Sequence, residues 1–110
     1  MNELVVLESP FAGNTRLNTK YAKQCMRDCF ARKEFPLASH LLYAQKGVLN
    51  DKIPEQRILG IMAGLAWAKN ASKTVVYTDL GISKGMEKGI CAAQLRSRPV
   101  EFRKLKGWKK

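Results

Sequence analysis

Two carboxylates, Asp79 and Glu87, flank a short glycine-bearing loop and are well spaced for chemistry on one small ligand. Asp79 closes the run Val75-Val76-Tyr77-Thr78, which reads as a buried strand. Glu87 falls in the first turn of a helix opened by Gly85 and Met86. A carboxylate can attack an electrophilic carbon and form a covalent intermediate, while a second one holds or protonates the leaving group. Each also has an ordinary role, Glu87 as an acid favoured by the helix macrodipole and Asp79 as a turn or cap residue. Between them, Gly81 and Gly85 let backbone N–H groups approach a ligand. Ser83 and the helix start offer donors to a phosphate or sugar hydroxyl, with Met86 beside them.

A second group of candidates follows the first apolar run, Leu4 to Leu7, which closes on Glu8. The turn Ser9-Pro10-Phe11-Ala12-Gly13-Asn14 carries a hydroxyl, an aromatic ring and a flexible backbone, so Ser9, Phe11, Gly13 and Asn14 are candidate ligand contacts. Asn14 serves equally as a helix cap. Tyr21 reads as core. His40, the single histidine, can act as a base near neutrality or merely hydrogen-bond a neighbour. Arg57, with Glu55, opens a helix behind Pro54; it can form a surface ion pair, bind a phosphate or reach across a subunit contact.

The elements that must position these residues alternate in type. Residues 4–8 read as a strand and 16–32 as an amphipathic helix with a basic outer side. Residues 35–38 read as a short strand, 54–70 as a helix, 73–79 as a strand, 84–95 as a helix and 100–105 as a strand. Gly60 and Gly64 suggest close packing of the second helix, for instance on another copy of itself. Right-handed crossovers then give a small Rossmann- or flavodoxin-like α/β fold, with helices on both faces of a four-stranded parallel sheet. The order 2-1-3-4 places the switch point between the first and third strands, where both candidate loops meet.

The 110 residues suffice for one domain, taken as 1–105 with a basic tail at 106–110. A formal net charge of +11 implies attraction to anions, or a tail that only aids solubility. Trp108 can stack on a base or pack on the body. No apolar run is long enough to span a bilayer and no signal sequence is evident, so the expected location is the cytoplasm. Cys25, Cys29 and Cys91 make no disulfide framework or metal site and read as buried apolar residues in a reducing compartment. The sequence has neither a P-loop nor the dinucleotide Gly-x-Gly-x-x-Gly fingerprint.

The motifs Asp79-x-Gly81 and Gly85-Met86-Glu87-x-Gly89, with the opening strand and its Ser9-Pro10-Phe11 turn, resemble the nucleoside 2-deoxyribosyltransferases and the related nucleotide N-glycosidases. The loop after Asp79 is longer than the family's. Over roughly 4–105 the chain is also similar to small phage proteins with the pattern Ser-Pro-Phe-Ala-Gly, Ser-His-Leu-Leu, Asp-Leu-Gly-Ile-Ser-x-Gly-Met. The resemblance implies N-glycosyl transfer or hydrolysis on a nucleoside or nucleotide, with Glu87 as nucleophile, Asp79 as its partner and no metal or organic cofactor. It also implies a homo-oligomer, because the family completes each site across a dimer contact. The charge favours a phosphorylated substrate. Two other readings stand beside it: a nucleotide binder without chemistry, and, more weakly, a nucleic-acid binder acting through the basic tail.

Overall fold

The computed structural model describes residues 2–108. In chain order the elements are β1 (Glu3–Glu8), α1 (Thr15–Ala31), β2 (Glu34–Leu37), α2 (Ser39–Leu42), α3 (Pro54–Ala68), β3 (Lys73–Tyr77), α4 (Lys84–Leu95) and β4 (Val100–Arg103). The four strands form one parallel sheet in the order β2-β1-β3-β4. This is the expected α/β architecture. The tail residues Lys109 and Lys110 lie outside the described residues.

Alternation along β1 sorts the two faces of the sheet. Val5 and Leu7 pack with Tyr21, Cys25 and Cys29 of α1 and with Val75 and Tyr77 of β3. Burying side chains of this size contributes about 1.5–3 kcal/mol each. Val6 and Glu8 point the other way, toward α3 and α4. The Asn14 side chain accepts a hydrogen bond from Leu17 N at 3.1 Å and starts α1. One turn later, Asn18 Nδ2 donates to the carbonyls of Phe11 and Ala12 at 3.0 and 3.1 Å. The Ser9–Gly13 turn is thereby fixed to α1.

Several local readings change. The segment Ser39–Leu42 closes into one helical turn, and β2 begins at Glu34, whose carboxylate is held by Arg103 and Lys73. Gly60 and Gly64 do allow close packing, but within the chain: Gly60 faces Tyr43 and Leu49, and a Cβ at Gly64 would lie 2.7 Å from Ser39 Oγ. Trp108 packs edge-on against Tyr21, with ring centroids 4.9 Å apart. Cys25 and Cys29 are buried, whereas Cys91 is exposed. Among the described residues no helix is long and apolar enough to cross a membrane.

Candidate functional site

A cleft of about 440 Å³ opens between the sheet, α3 and α4, beyond the carboxyl end of β1. Its floor is Val6 and Leu37 from the strands; Ile61, Leu65 and Ala68 of α3 form one wall. The first turns of α4, from Ser83 to Gly89, form the facing wall, although Glu87 takes no part in it. Ser9, Phe11 and His40 close one end, and Arg57, Lys84, Lys88 and Arg98 surround it with positive charge. The volume falls in the range of small-molecule sites.

Glu8 is the carboxylate on the floor of this cleft. It is the last of the six residues of β1, and period-two alternation carries its side chain to the α3–α4 face along with Val6. Gly89 makes room for it, since any Cβ at that position would collide with all three carboxylate atoms. Burial pushes its pKa up to about 8, and the positive charge of Arg98 opposes part of that rise. Arg98 is itself anchored, with Nε donating to Thr74 Oγ1 and Nη1 to the Ala68 carbonyl, each at 3.0 Å.

Ser9 is buried, and its Oγ lies 3.0 Å from Nε2 of His40. The Phe11 ring meets His40 edge-on. Burial pushes the His40 pKa down to about 4, so the imidazole is neutral at pH 7. A neutral ring can exchange a hydrogen bond with the serine hydroxyl in either direction, which leaves Ser9 free to donate to or accept from a ligand. Arg57 reaches the cleft beside Asp51, with 4.0 Å between the charged atoms. On the facing wall, Ser83 Oγ accepts from Met86 N at 3.3 Å. By helix geometry the N–H groups of Lys84 and Gly85 have no partner within α4, and the positive end of its dipole faces the cleft.

The structure thus brings Ser9, Phe11, His40, Arg57, Ser83, Gly85 and Met86 around one cavity. It does not bring the two motif carboxylates there. Glu87 is exposed. Gly85 and Gly89 face the cleft, and a residue two positions from each sits about 200° round the helix, on the far side. Asp79 serves the opposite face of the sheet. Its Oδ2 accepts from Tyr21 Oη and from Leu105 N, the latter at 2.9 Å, while Asp79 N donates to Tyr21 Oη at 2.9 Å. That clamp joins β3, α1 and the segment after β4. Asn14 caps α1, and Gly13 and Gly81 turn the backbone at positive φ (98° and 86°) outside the cleft lining.

Glu8, Asp51, Lys84, Lys88 and Arg98 are the charged lining residues that sequence reasoning missed. Glu8 had a signal, being a lone carboxylate that ends an apolar strand next to a loop singled out already. Arg98 had none, because its place depends on the turn between α4 and β4. Among the described residues, no group of three His, Cys, Asp or Glu side chains converges to hold a metal ion.

The chain belongs to the family described as domain of unknown function DUF7768, whose model matches residues 3–103. That span takes in every strand and every residue lining the cleft. No curated protein and no solved structure matches the chain.

Proposed function

We propose that the cleft binds a nucleoside phosphate and cleaves or transfers its N-glycosidic bond, with Glu8 as the acting carboxylate. The observation that carries this reading is Glu8 itself, a carboxylate held in an apolar enclosure with cations around its rim. A phosphate fits among Arg57, Lys84, Lys88 and the free N–H groups of α4. Phe11 offers a face to the base, and Ser9 with His40 a hydrogen bond to the sugar. A carboxyl that keeps its proton near neutrality is a proton donor before it is a nucleophile. Glu8 then protonates the departing base as the glycosidic electrons leave with it, and water or an acceptor hydroxyl attacks the anomeric carbon and passes its proton to the Glu8 carboxylate, which restores the acid.

The test is a panel of nucleosides and nucleoside monophosphates, with base release followed by chromatography and binding by thermal stabilisation. The expected result is release of base from a monophosphate by the native chain, and stabilisation without release by Glu8→Gln. Equal turnover by that variant would remove Glu8 from the reaction. A second reading, binding without turnover, is favoured by the positions of Asp79 and Glu87 outside the cleft; stabilisation with no release from any panel member would establish it. No stabilisation by any member would overturn nucleotide recognition altogether.

A further inference from the structure

Helix α3 is apolar on both sides. Its inner side gives Ile61, Gly64, Leu65 and Ala68 to the cleft wall. Its outer side carries Ile58, Leu59, Met62 and Ala66, all exposed; Trp67, also exposed, lies nine positions from Ile58 and so on another side of the helix. Met62 is 59% exposed and Ile58 56%, so these side chains stand in water rather than graze it. A helix with one face in water ordinarily carries polar residues on that face. Here the charges on the outer side stand at its two ends, Glu55 in the first turn and Lys69 at the C-cap.

The exposed area is enough to matter. Half-exposed side chains of the larger kind offer on the order of 100 Å² apiece, so Ile58, Leu59, Met62 and Ala66 together with the exposed Glu55 and Lys69 on the same side present on the order of 500 Å². A pair of such strips would bury on the order of 1,000 Å² in total, the lower bound of a specific interface. An apolar strip of several hundred Å² is of the size at which such patches often serve an interaction.

We propose that the outer face of α3 is where a second copy of this chain docks, the two helices packing antiparallel about a two-fold axis. A two-fold contact sets each patch against itself, so the patch must be complementary to its own reverse. This strip meets that condition. Glu55 and Lys69 lie fourteen positions apart, about four turns and roughly 20 Å, on the same side of the helix. Antiparallel packing brings Glu55 of one copy against Lys69 of the partner subunit at both ends of the strip. Parallel packing would set like charges together. Because the inner side of the same helix walls the cleft, docking also holds that wall in place.

The experiment is sedimentation of the native chain and four variants at micromolar concentration. The native chain should sediment at twice its 12.4 kDa mass. Met62→Glu should sediment as a monomer while keeping the native circular dichroism, since its side chain is exposed and supports no core. Glu55→Lys and Lys69→Glu should each weaken association roughly tenfold, as two favourable pairs become two repulsive ones. The doubly reversed chain should recover the native affinity. A native chain that is monomeric at high micromolar concentration would overturn the proposal. A dimer indifferent to Met62→Glu would overturn this face, and a failed rescue by the double reversal would overturn the antiparallel arrangement.

Discussion

Glu34 and Glu8 lie on adjacent strands, and their surroundings treat the same functional group in opposite ways. Glu34 opens β2 beneath α1, where Arg103 bonds both of its oxygens at 2.8 and 2.6 Å and Lys73 approaches at 3.0 Å. Those hydrogen bonds hold its pKa down to about 2 despite burial. The polar groups around it are satisfied as well: Tyr77 Oη donates to Asp28 at 2.7 Å and accepts from Arg103 at 3.1 Å. Glu8 ends β1 on the other face with the cation Arg98 nearby, and its pKa goes up instead. Buried charge that is fully partnered rigidifies a fold; buried charge left short of partners is available for a ligand or a reaction.

The comparison is broken outright by removing the bidentate partner of Glu34. Arg103→Met should lower unfolding free energy by about 3 kcal/mol, because Glu34 loses both guanidinium hydrogen bonds and keeps Lys73 as its remaining cation. Paired with Glu34→Gln it should cost much less, and urea denaturation of both variants checks the difference.

The second effect is in pH dependence. Glu8 holds its proton in the folded chain up to about pH 8, against 4.5 for an ordinary glutamate. Stability linked to it is present below pH 4.5 and is lost as pH rises toward 8. Glu34 runs the other way, stabilising above pH 4.5 and losing that contribution as pH falls toward 2. Glu8→Gln should therefore raise stability at pH 8 by up to about 4 kcal/mol and leave it nearly unchanged at pH 4. Thermal unfolding across that range reads the sign directly.

Smaller effects test the two carboxylates against their rims. Arg57→Ala should weaken binding of a nucleoside monophosphate about tenfold and flatten its dependence on salt, as measured by calorimetry at two ionic strengths. Nucleosides without phosphate should bind the native chain and this variant alike. Glu87→Ala should change ligand affinity not at all and stability by no more than about 0.5 kcal/mol, the value of one exposed acid at a helix start. A large loss of turnover in that variant would return the chemistry to Glu87.

Much of the fold was legible because local periodicity is a local property. Pro54 and Ser83 mark helix starts, and the β-branched run at Val75 marks a central strand. The ends of elements read less well. Thr78 and Asp79 look like continuing strand, yet Asp79 is drawn into the clamp with Tyr21 and Leu105, contacts made by distant parts of the chain. The site was half legible for the same reason. Ser9, Ser83 and Gly85 sit at loop positions beyond strand ends, which topology alone places near a cleft. Asp79 and Glu87 were grouped because they are close in sequence, but they belong to opposite sides of the sheet and of α4.

The sequence by itself determined the alternation of strands and helices, hence the parallel sheet, its order and the switch point where the connections leaving the neighbours β1 and β3 diverge. It also determined the excess of positive charge. Only the tertiary structure decided which carboxylate enters the cleft. A side chain's direction depends on strand pairing and helix rotation, and its pKa on which distant groups reach it. Gly89 and Arg98 lie far from Glu8 in sequence, yet one makes its space and the other tempers its charge.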